Sequence, residues 1–148
     1  MSQFLPFGNI RWLENPETLD VTQVPDNAET GYYLEVDLKY GHHLHNDHNC
    51  YPLAPEHLHI TKSMLSPYQE ELLKVLNVKP AKGTKLVPNL FDKTKYIVHY
   101  RTLKLYLALG LEITKIHRVL AFEQSDWLMK YVMFNTEKRT RARTTKKR

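Results

Sequence analysis

The chain has 148 residues, 42% apolar and 25% charged, the balance of a globular chain able to bury a core. Its longest apolar runs are a few residues, too short for a bilayer, and Met1 to Gly8 lacks the basic start and long apolar stretch of a signal peptide. The net charge is +5, yet seven of the 21 basic side chains and one of the 16 acids lie from Glu137 onward, so the rest is close to neutral.

Residues 1–30 read as turns and short extended pieces, punctuated by Pro6, Gly8, Pro16 and Pro25. Gly31 opens the clearest strand: along Tyr32–Tyr40, Leu34, Val36 and Leu38 share one face and Glu35, Asp37 and Lys39 the other. A His-rich loop follows, Gly41 to Asn49, and Pro52 and Pro55 prevent a central strand after it. Leu58 and Ile60 suggest a short strand. Ser66-Pro67 with Gln69 makes a capping box for a helix through Leu72, Leu73 and Leu76. Pro80 to Thr84 reads as a linker and Asn89 to Asp92 as a turn. Lys95 to Tyr100 suits a strand or a helix start. Arg101 to Leu109 fits a helix with Gly110 beyond its end, although Leu103, Leu105, Leu107 and Leu109 also alternate as a strand would. Glu112 to Gln124 reads as a long strand, and Ser125-Asp126 can cap a last helix. The pattern is α+β, with antiparallel strands, three or four in number, and about three helices.

Three constellations carry chemistry. His42, His43, His45, Asp47, His48, His57 and His59 are metal-ligand types, but a solvated loop tolerates them equally. Glu35 and Asp37 share a strand face, where paired carboxylates can bind Mg²⁺ and where an exposed strand commonly places acids. Lys93 to Arg101 and Lys115 to Arg118 mix cations with aromatic rings, as nucleic-acid surfaces do and as amphipathic elements do. The single cysteine, Cys50, excludes an internal disulfide and favours a reducing, intracellular compartment.

Several stretches together resemble the protein-primed family B DNA polymerases of Polinton/Maverick-type elements and related viruses. Residues 1–13 look like the segment after polymerase motif A. Tyr32–Tyr40 resembles the next palm strand, and Leu44–Asn49 with Tyr51–Glu56 the loop behind it. Leu86–Tyr96, Val98–Arg101, Leu103–Leu107, Gly110-Leu111, Lys115–Val119 and Trp127-Leu128 continue the family order, and Asn135–Arg139 resembles the start of the fingers helices. The resemblance implies a partial palm with an insertion region over 1–136 and a basic tail or start of fingers over 137–148. It implies DNA, deoxynucleotides and a priming terminal protein as partners of the intact enzyme, no membrane, Mg²⁺ as its cofactor, and an intracellular location with the nucleus open to it. Met1 aligns with an internal methionine of the family, so the motif A aspartate is expected to be missing; the fingers motif and the Asp-Thr-Asp of motif C are absent too. No catalytic or metal-binding residue is therefore carried over. Lys95, Arg101, Lys104, Lys115 and Arg118 are the candidates for DNA contact, and Lys138, Arg139 and Arg141 for nucleotide contact. Whether the chain is an enzyme in its own right stays open. The alternatives are a stand-alone DNA- or terminal-protein-binding remnant, and a metal-dependent nuclease built on the His-rich loop.

Overall fold

The computed structural model describes residues 3–78 and 83–142. The chain divides into two compact units, one formed by residues 1–39 with 92–148 and the other by Tyr40–Phe91.

The first unit is an antiparallel sheet of four strands, β1 (Leu5–Trp12), β2 (Thr30–Lys39), β5 (Lys93–His99) and β6 (Glu112–Ser125), in the order β1-β6-β2-β5. The alternation of β2 decides which face is buried. Leu34, Val36 and Leu38 are sealed against Val98, Leu103, Leu111, Val119 and Ala121, all buried. This side of the sheet carries helix α2 (Tyr100–Ala108), which buries Tyr100, Leu103 and Tyr106. The competing strand reading of this segment fails because Leu105 and Leu109 are 55% and 41% exposed while Leu103 is fully buried. A strand would have put all three on one face.

Local chemistry sets the ends of α2. His99 is the N-cap, its ring nitrogen accepting from the Arg101 N–H. Gly110, at φ 100°, closes a Schellman turn in which its own N–H reaches the Leu107 carbonyl and the Leu111 N–H reaches that of Tyr106. The ambiguous segment before it is strand to His99 and helix from Tyr100.

The N-terminal region, read as turns and short extended pieces, holds one full strand. Leu5–Trp12 is an edge strand paired with β6, with register breaks on either side of Gly8. Pro6 is tolerated because an edge strand need not donate from every residue. The long β6 supplies the partner, and no local pattern could announce it. The final helix, α3 (Met129–Ala142), buries none of its residues. The expected boundary at 136/137 falls within α3.

The second unit holds β3 (Glu56–His59), α1 (Pro67–Val75) and β4 (Thr84–Val87), with β3 and β4 paired antiparallel from Glu56 opposite Val87 to His59 opposite Thr84. The capping box forms as expected: Ser66 Oγ accepts from the Gln69 N–H and Gln69 Oε1 from the Ser66 N–H. Asn77, at φ 50°, ends α1 in the same turn type as Gly110. Strand β4 was not expected, since its first residue reads as linker; residues 79–82 of that linker lie outside the described residues. Tyr40 and Ala54 are the buried apolar residues of this unit, and α1 buries none. No helix among the described residues is long and apolar enough to cross a membrane.

Candidate nucleic-acid face

The sheet face opposite α2 gathers most of the chemistry. Register places Trp12 opposite Leu120, Leu120 opposite Tyr33 and Tyr33 opposite His99, a row across all four strands. The next row sets Glu35 between Arg118 and Ile97, and the third sets Asp37 opposite Lys115. Trp12, Tyr33, Ile97 and Arg118 are exposed.

Three register slips shape this face. In β6 the register slips between Glu35 and Val36, making His117 an extra residue, and again between Asp37 and Leu38, making Thr114 extra; in β5 it slips between Val36 and Leu38. All three lie around Asp37. Its Oδ1 accepts from the Lys95 backbone N–H at 2.7 Å and from His117 Nε2 at 2.8 Å. Lys95 sits at φ 51°, a conformation that a lysine adopts only when held. The Lys95 N–H, then the His117 bond, keep the Asp37 carboxyl below its usual range.

Glu35 accepts from Arg118 Nε at 2.6 Å, and that bond holds its carboxyl low while raising the guanidinium. The same guanidinium lies 5.2 Å from the centre of the Trp12 ring. Arg118 is thus fixed between a carboxylate and an indole. Trp12, Tyr33, Ile97, Arg118 and Leu120 bound a shallow depression of about 200 Å³.

Of the expected DNA contacts, Lys95, Lys115 and Arg118 lie together on this face. No hydrogen bond or ion pair engages the ammonium groups of Lys95 and Lys115 among the described residues. Arg101 and Lys104 lie elsewhere and do other work. Lys104 Nζ binds the Val24 carbonyl and Asp26 Oδ1, both at 2.9 Å, which holds the Asp26 carboxyl low. Arg101 binds Gln3, the Tyr100 hydroxyl and the Asp26 carbonyl. Together they clamp the loop at 24–26 onto α2. The expected nucleotide contacts are on α3, where Lys138 lies 5.3 Å from the Phe134 ring, Arg141 pairs with Glu137 and Arg139 is exposed.

Sequence reasoning missed Trp12, because its place depends on β1 pairing with a strand more than a hundred residues later. Tyr33 was within reach, since the alternation of β2 already sets it on the Glu35 face.

In the second unit the histidines surround a tyrosine. The Tyr40 hydroxyl lies 2.8 Å from His48 Nδ1 and accepts from the Leu53 N–H at 3.1 Å, and the His45 ring stands edge-on to Tyr40. Among the described residues no group of three or more His, Cys, Asp or Glu could hold a metal ion. Glu35 Oε2 and Asp37 Oδ1 are taken by Arg118, by His117 and by the Lys95 N–H.

No protein-family model, curated protein or solved structure matches the chain. The functional reading rests on the residues themselves.

Proposed function

We propose that the chain is an internal piece of a protein-primed family B DNA polymerase, contributing palm scaffold and phosphate contacts without the catalytic aspartates. The observation that carries this reading is the way the second unit is inserted. The resemblance assigns palm strands to Glu35–Leu38 and Glu112–Phe122 and an insertion to the chain between them. Those strands fall in β2 and β6, paired from Thr30 opposite Glu123 to Lys39 opposite Glu112. Residues 40–91 form a compact unit of their own. Of the chain between those strands, residues 40–91 lie in that unit while β5 and α2 join the sheet unit, and β2 and β6 stay paired.

In that reading nucleotidyl transfer belongs to the metal-binding aspartates of motifs A and C, which this chain does not carry. Its own residues hold the sheet and meet phosphate. Lys95, Lys115 and Arg118 supply positive charge at one face, and each phosphate they neutralise releases condensed counterions.

The full transcript and its flanking DNA test the ancestry. An in-frame Asp-x-x-Asn-Leu-Tyr-Gly upstream, with Asn-Ser-x-Tyr-Gly and Asp-Thr-Asp downstream, is the expected result. Unrelated coding sequence on both sides would overturn it. Stop codons on both sides would favour the second reading, a stand-alone DNA-binding remnant, which the free ammonium groups of Lys95 and Lys115 support. Either reading requires DNA binding that weakens with added salt, and a salt-independent binding curve would count against both.

A further inference from the structure

We propose that the face bearing Trp12, Tyr33 and Arg118 is a stacking platform for the bases of an unpaired nucleic-acid strand. The inference rests on the nucleic-acid reading above and adds the form of the ligand and the residues that select it.

The argument begins with the rings. Trp12 is 60% exposed and Tyr33 39%, on a sheet face that is buried only toward Phe122 and Gln124. They stand two strands apart, about 10 Å, so each can take a separate base. Water gains nothing from contact with an exposed indole, whereas every base has a π-face to lay on it. The Arg118 guanidinium, tethered by Glu35 and set against Trp12, adds a second flat surface and a positive charge. The depression between these groups, about 200 Å³, is smaller than the roughly 300–1,000 Å³ of small-molecule sites.

Charge then names the class of ligand. Lys95 and Lys115 lie beside Asp37, two rows along the sheet from the rings, and Glu35 and Asp37, the acids of this face, already accept from Arg118, His117 and Lys95. The remaining demand is for anions beside flat rings, and a nucleotide strand carries both in its repeat. A duplex satisfies it poorly, because its base faces are covered by their neighbours and only groove edges and phosphates remain. The sheet face presents no helix or ribbon to enter a groove.

The test uses the full chain. Trp12 and Trp127 are the two tryptophans, so Trp127→Phe makes fluorescence report on Trp12 alone. Titration with a dT oligonucleotide is expected to quench that emission, with an affinity at least tenfold above that for a duplex of the same length. In anisotropy measurements with labelled dT, Trp12→Ala should weaken binding about 5- to 150-fold, the range for losing one base–aromatic stack. Trp12→Phe should restore most of it, and matched urea midpoints would show that the fold is intact. Equal affinity for strand and duplex, or indifference to Trp12→Ala, would overturn the platform while leaving phosphate contact standing; the double variant Lys95→Gln/Lys115→Gln should still weaken binding. No binding to either nucleic acid would overturn both readings. A Trp12 signal that changes with protein concentration alone would overturn the platform in favour of a second copy of the chain on this face.

Discussion

Asp37 accepts the freed backbone N–H of one bulge and the redirected imidazole of another, so a single carboxylate fixes the shape of β5 and β6 together. Removing it should lower the urea midpoint of the first unit and loosen Lys95, whose left-handed backbone then has no acceptor. The acid response gives a sharper test. A carboxylate whose folded value lies below its usual 3.8 contributes its full stability above that value and loses it as pH falls through the lower one. Asp37→Ala should therefore narrow the gap to the wild-type protein below about pH 4, measured by denaturant titration at several pH values. Gly31 makes a different demand. A Cβ there would meet Phe122 Cε2 at 2.4 Å and Gln124 Oε1 at 2.7 Å, so Gly31→Ala should cost about 1–3 kcal/mol. The alternation of β2 made the Glu35–Asp37 face legible in sequence. The partners of those acids were not, because they come from bulges whose position depends on register between distant strands.

At the scale of the element, the capping box of α1 and the glycine end of α2 could be read directly, since both depend on residues within one turn. β1 and β4 could not. Each carries little alternation and exists because a partner strand offers hydrogen bonds. The start of α2 adds a titrating cap. Burial is the main influence holding His99 below its usual 6.5, with the Arg101 charge adding to it. The unfolded chain then takes up a proton that the folded ring resists, so stability is complete above pH 6.5 and falls as pH drops toward the lower folded value. His99→Asn keeps an acceptor for the Arg101 N–H but cannot titrate. The variant should show a flatter dependence of the urea midpoint between pH 5 and 6.5 than the wild-type protein. Loss of the α1 cap, by Ser66→Ala, should cost that helix about 0.5–2 kcal/mol. Because α1 buries none of its residues, the loss should register in hydrogen exchange of α1 and leave the first unit unchanged.

For the whole molecule, the α+β class and the two long strands β2 and β6 followed from alternation and length, but not their pairing. The separation into two units did not, because the His-rich stretch from Gly41 reads equally as a solvated loop. The second unit enters between β2 and β5, which are themselves antiparallel neighbours with Leu38 opposite Lys93. Residues 40–91 thus occupy the place of a hairpin turn. Replacing them with an Asn-Gly turn between Lys39 and Asp92 should leave a sheet that still unfolds cooperatively, as measured by circular dichroism in urea. A non-cooperative transition would mean that the first unit depends on the second.

That placement also bears on the speed of folding. Bringing β2 and β5 together across some fifty residues, in place of two, adds about 3 kcal/mol of loop-closure entropy to the search. β1 and β6 must meet across a still longer stretch, so contact order is high and assembly slow. If the inserted unit condenses first, Tyr40 and Phe91 arrive already close and the long loop becomes a short one. The hairpin-closed variant should then refold no faster than the full chain, whereas a faster variant would mean that the long loop is closed directly.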